Sequence, residues 1–106
     1  MPFQTIADIA ERELLPGFHV RFIHTENMTI GHFRIEAGSE LPLHHHPHEQ
    51  VTTLLEGRFA MTLDGEERIC EPGQAVVIPG NVPHSGKALT DCRIIDVFSP
   101  PREDYF

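Results

Sequence analysis

The sequence predicts an all-β domain, an antiparallel jelly-roll β-barrel led by one short N-terminal helix. Three observations carry that expectation. Short segments rich in β-branched and aromatic residues recur at even spacing from residue 18 to residue 98. Turn residues separate them, Asp64-Gly65 being the clearest two-residue hairpin signal. No stretch of helical period lies between them to serve as a parallel crossover, so the sheets should be antiparallel.

The elements follow in order. Residues 5–15 place Ile6, Ile9, Ala10 and Leu14 at helical spacing, with Thr5 as a cap and Pro16-Gly17 as a stop, and read as the short helix. Strands are expected at residues 18–24, 28–36, 51–56, 59–64, 67–70, 75–78 and 92–98. The pairs Glu26-Asn27, Ala37-Gly38, Glu56-Gly57, Pro72-Gly73 and the run Pro79-Gly80-Asn81 punctuate them. The whole chain, 1–106, is then one domain, with the barrel at about 18–99 and a tail at 100–106. A chain of this length buries roughly two thirds of the surface it exposes when unfolded, enough for one core.

Composition removes several function classes. The formal net charge is −8, and a single lysine, Lys87, accompanies seven arginines. No basic stripe is available to neutralise phosphates, so nucleic acid is not expected as a partner. No stretch has the length of a membrane span, and the N-terminus lacks the pattern of a secretory signal, so a cytoplasmic protein without membrane contact is expected. Cys70 and Cys92 lie in no C-x-x-C pair and read as buried thiols.

One stretch stands apart: LPLHHHPHEQ, residues 41–50, holds four histidines within five positions. In extended backbone His44 and His46 face the same side and His45 the other, so two imidazoles converge without further folding. Gln50 can add an amide oxygen from that side if Pro47 turns the chain, with Thr52 and Leu54 as its face mates. His84 lies in PGNVPH, where Pro79 and Pro83 stiffen the backbone, and is the remaining isolated candidate. Three imidazoles and an amide oxygen suit one borderline divalent ion: zinc, nickel, manganese, iron or copper. With no anionic ligand, such an ion would keep its full charge as a Lewis acid.

These residues carry a resemblance to the small single-domain cupins. The first cupin motif, G-x5-H-x-H-x(3,4)-E-x6-G, is met by Gly38, His44, His46, Gln50 and Gly57, with Gln in place of the usual Glu. The second, G-x5-P-x-G-x2-H-x3-N, is met by Gly73, Pro79, Asn81 and His84, with Asn81 for glycine and Ala88 for the last asparagine. The resemblance implies a cupin-type barrel with a metal on His44, His46, Gln50 and His84. The phrases HPHEQVTTLLEG, VIPGNVPHSGKALTDC and IIDVFSPPREDY further resemble the KdgF group of pectin-degradation cupins. That likeness implies an isomerase that opens the ring of 4,5-unsaturated monouronates from pectin or alginate breakdown. It also implies catalytic roles for Asp96, Phe98 and Arg102: Asp96 moving protons, Phe98 walling the ring, and Arg102 pairing with the substrate carboxylate through its forked edge. Small cupins pair by sheet packing, which implies a homodimer.

The residues support part of this independently. In RIIDVF the alternation puts Ile94, Asp96 and Phe98 on one face, so Asp96 sits among apolar neighbours and needs a partner, a proton or a task. Plainer readings stand beside it. His48 or Glu49 could replace a ligand in a shifted register, His19, His24, His32 and His45 read as structural, Asp96 could tie Arg93, and Arg102 could be solvated. A metal-dependent dioxygenase and a non-catalytic sugar-binding or sensory module remain the alternative functions.

Overall fold

Ten strands follow a single turn of 3-10 helix in the computed structural model, which describes residues 2–106. The turn occupies Ile6–Asp8, and the strands are β1 (Arg12–Leu15), β2 (Phe18–His24), β3 (Thr29–Ile35), β4 (Glu40–His44), β5 (Glu49–Glu56), β6 (Phe59–Leu63), β7 (Glu66–Cys70), β8 (Ala75–Ile78), β9 (His84–Ala88) and β10 (Cys92–Ser99). A second 3-10 turn, Glu103–Tyr105, closes the tail. The strands form a six-stranded sheet in the order β1-β2-β3-β10-β5-β8 and a four-stranded sheet in the order β4-β9-β6-β7. Every pairing is antiparallel, the arrangement of a jelly roll.

The leading helix is the principal correction. Arg21 reaches from β2 and donates through Nη1 to the carbonyl oxygens of Ala7 at 2.6 Å and Ile9 at 3.0 Å. Those acceptors are the ones a continuing helix would need for its next turn. The following residues pair instead with the free edge of β2, and Gly17 at φ 82° closes the hairpin. Tertiary contact thus overrides a helical pattern that was only three turns long.

The seven expected strands all form, with ends shifted by at most two residues. Between β6 and β7, Asp64 and Gly65 both have positive φ, 48° and 82°, as a two-residue primed turn requires. Three strands were not anticipated: β1, β4 and β9. In β4 Pro42 interrupts the pattern, and β9 reads His-Ser-Gly-Lys-Ala, with little β propensity of its own. Both are held by their neighbours, β9 lying between β4 and β6.

The core lies between the two sheets. Phe18, Val20, Phe33, Ile35 and Ile94 face it from one side, Phe59, Met61 and Ala88 from the other, and all are buried. Cys70 and Cys92 are buried free thiols, as expected, and burial raises the pKa of each. Among the described residues, no helix is long and apolar enough to cross a membrane.

Candidate metal centre

His44 closes β4 and His84 opens β9, and the two stand directly opposite each other in the register of that pair. His46 lies in the loop beyond β4. That loop is fastened to the turn before β9: the Asn81 amide donates to the His46 carbonyl at 2.7 Å, and Gly80 packs so closely that a Cβ there would meet the Pro47 carbonyl oxygen at 2.5 Å. Asn81, which stands where the second motif has glycine, adopts φ 65°, a conformation Asn tolerates better than most residues. Two segments forty residues apart are thereby locked together, and a ring nitrogen from each of His44, His46 and His84 lies within 4.8 Å of the others.

The protons on these rings are fixed by their neighbours. Nδ1 of His44 is 2.8 Å from the Pro42 carbonyl oxygen, Nδ1 of His46 is 3.1 Å from that of His48, and Nδ1 of His84 is 2.9 Å from that of Val82. A carbonyl only accepts, so each Nδ1 carries the hydrogen and each Nε2 presents a lone pair. Burial, with the charge of Arg102 and the neighbouring His84, lowers the pKa of His46 to about 4, and burial lowers that of His84. His46 and His84 are therefore neutral at neutral pH, the form that binds metal.

Gln50, buried on β5, completes the set. Its Nε2 donates to the Thr52 hydroxyl at 2.9 Å, which aims Oε1 at Nε2 of His46, 3.1 Å away. Two acceptors then face each other in a buried site, a repulsive contact that a cation between them converts to attraction. Nε2 of His84 is likewise buried and has no hydrogen-bond partner. An orphaned buried acceptor is costly unless something fills the position. The residues present therefore fit one borderline divalent ion held by His44, His46, His84 and the Gln50 oxygen.

Asp96 stands opposite Thr52 on the neighbouring strand, and the Thr52 hydroxyl donates to its Oδ1 at 2.6 Å. Burial pushes its pKa up to about 6, against the pull of the Thr52 and Gln50 hydrogen bonds and the Arg102 charge. A continuous chain, Asp96 to Thr52 to Gln50, thus ends at the histidine trio. Phe98 is buried opposite Gln50, its ring 5.9 Å from that of His46. Arg102, which the tail's composition allowed to be solvated, is buried, its guanidinium over the rings of Phe98 at 4.8 Å and Tyr105 at 4.1 Å. Its Nε and Nη2 are already bound by the Asp104 carboxylate at 3.1 and 2.9 Å, so the forked edge is occupied.

The remaining histidines are elsewhere. His45 is exposed, His24 bonds Thr29 and stacks on Phe22, and His19 contacts Glu36 at 2.8 Å. His48 stays outside the trio, its carbonyl accepting from His46 and its ring edge-on to that of His46 at 5.5 Å, and Glu49 is exposed. Sequence reasoning missed Tyr105, whose position in a short tail after two prolines gave no periodic signal. It likewise treated Thr52 only as a neighbour of Gln50, although the hydroxyl links the acid to the ligands.

An antiparallel jelly roll with three convergent imidazoles defines a small β-barrel protein with a candidate metal site. The chain belongs to the cupin family: the cupin domain matches residues 31–98. The structure of KdgF from Halomonas sp. superposes with a TM-score of 0.92 at 30% identity, covering 98% of this chain and 97% of that one. The pectin degradation protein KdgF of Dickeya dadantii is 34% identical over 65 residues, 60% of this chain and 59% of that protein. The H2HPP isomerase of Bacillus subtilis is 30% identical over 94 residues, which span 86% of this chain but only 40% of that enzyme.

Proposed function

We propose that this cupin is a metal-dependent isomerase that opens the ring of 4,5-unsaturated monouronates to the linear keto form. The observation that carries the reading is the carboxyl of Asp96, poised near 6 on the cavity wall and tied through Thr52 and Gln50 to the histidine trio. The likeness to two KdgF proteins supports the substrate, and that to an isomerase supports the reaction type.

A divalent ion on His44, His46, His84 and Gln50 would supply Lewis acidity toward substrate oxygens. The chain's own residues do the rest. Asp96, close enough to neutral pH to exist in both forms, takes the proton of the hemiacetal hydroxyl as the ring C–O bond breaks. The electron pair of that bond passes to the former ring oxygen as an enolate, and Asp96 returns the proton to carbon as the ketone forms. Atoms and electrons balance within one molecule. The Arg102 charge pairs with the substrate carboxylate, and Phe98, under that guanidinium, walls the ring beside His46. Thr52 holds Asp96 in place through the bond to Oδ1.

Incubating metal-loaded protein with an unsaturated monouronate and following the enol absorbance tests the proposal. Decay faster than in buffer is expected, and decay at the buffer rate overturns it. The protein is also proposed to act as a homodimer, which would cover the exposed Leu55 and Val77 on the outer face of β5 and β8. Light scattering behind a sizing column reads that directly.

A further inference from the structure

The cavity beside the trio has a volume of about 350 Å³ and runs through the barrel interior. Its polar groups are His44, Gln50, Thr52, Asp96 and Arg102, with Tyr105 beside Arg102. The rest of the wall is hydrocarbon, with Phe18, Phe33 and Ile35 from one sheet and Leu41, Phe59 and Met61 from the other. Five of these six are buried members of the core, yet they leave space between the sheets instead of closing on each other. A monouronate ring carries oxygen on most of its carbons. Those hydroxyls find partners at the polar end, while any turned toward the chamber would be buried without one.

We infer that the chamber is a second subsite that takes a hydrophobic substituent, so that the barrel also accepts 2-oxo acids and their enols bearing an alkyl or aryl body. The acidic head lies at Arg102 and the trio, and the body lies among Phe33, Phe59 and Met61. This rests on the proposed function only for the placing of the head. The charge of Arg102 and the three convergent imidazoles suit a carboxylate with an adjacent oxygen, and the apolar wall suits what is attached to it. The step Asp96 performs on such an acid is the same as in ring opening: the enol O–H proton leaves, the C=C electron pair takes a proton at carbon, and the C=O forms, with no co-reactant.

The test is calorimetry on zinc-loaded protein with pyruvate, 2-oxohexanoate and phenylpyruvate, joined to NMR of the Met61 methyl group. Affinity should rise at least tenfold from pyruvate to phenylpyruvate, and the Met61 methyl resonance should shift with phenylpyruvate but not with pyruvate. Leu15→Gln, on edge strand β1 at the cavity wall, should erase most of the gain. Equal affinities along the series, or a gain that leaves the Met61 resonance unmoved, overturns the inference. Uronate turnover with a flat series removes this subsite and leaves the ring-opening reading intact. A rising series without uronate turnover does the reverse.

Discussion

Among the described residues two clusters have metal-ligand spacing, and they are opposites. His44, His46 and His84 meet at the end of the barrel cavity, while Glu13, His19 and Glu36 meet on the outer face of β1, β2 and the turn after β3. The surface group has the more attractive charge for a cation. Yet it is already satisfied: His19 contacts the Glu36 carboxylate at 2.8 Å and lies 3.6 Å from that of Glu13, with Glu11 3.9 Å away on its other nitrogen. Glu11 in turn is bound by Arg34 at 2.8 Å, which lowers its pKa. The interior group has no counter-charge, each ring's proton is committed to a carbonyl, and the Nε2 of His84 has no partner. Pre-organised, unsatisfied acceptors make the difference, and the count of acidic groups does not.

His84→Ala is the change that breaks this contrast most severely. Titration with zinc should show a loss of more than about a hundredfold in affinity, beyond what changes to the groups that orient the ligands cost, and turnover should vanish with it. His19→Ala should leave zinc affinity within about twofold, and a comparable loss there would erase the distinction between the clusters.

Asp96→Asn separates proton transfer from metal binding. It should lower uronate turnover by about 10²–10⁴-fold, the usual worth of a general acid–base group, while metal content by elemental analysis stays at one ion per chain. Retained turnover would move the proton step to another residue.

The same variant sharpens the electrostatic side through stability. The folded protein holds the Asp96 proton up to about pH 6, against an ordinary value of 3.8, so the native state binds it more tightly than the unfolded chain. Its favourable contribution is full below about pH 4 and is lost as pH rises through 6. In metal-free protein Asp96→Asn should therefore be more stable than wild type by about 1–3 kcal/mol at pH 7.5, with the gap closing near pH 4. Thermal melts at the two values would show it, and an equal gap at both would contradict the cause assigned to the shift. The smallest effect belongs to the surface: removing the His19 contact with His19→Gln should change stability by no more than about 0.5 kcal/mol, as partly exposed ion pairs usually do.

Much of this was legible beforehand because it depends on period and spacing. Gln50, Thr52 and Leu54 share the buried face of β5, and Ile94, Asp96 and Phe98 line the cavity from β10, as alternation required. The motif spacings brought His84 to His44. What escaped was decided by distant partners. The residues of β1 carry a helical pattern until Arg21 takes the carbonyls of the preceding turn. β4 and β9, which hold two of the ligands, have weak strand sequences and exist through their neighbours in the sheet. The engagement of Arg102 by Asp104, two residues on, follows from the closing 3-10 turn, and Tyr105 reaches the site through the same turn. Local pattern foretold the strands that bury a face, and long-range contact built the rest.

Anomalous diffraction from crystals grown with zinc tests the central claim most directly. The account predicts one strong peak about 2.0–2.1 Å from Nε2 of His44, His46 and His84, with the Gln50 oxygen completing the set. Density free of any such peak among these rings, or a peak only at Glu13, His19 and Glu36, would contradict it.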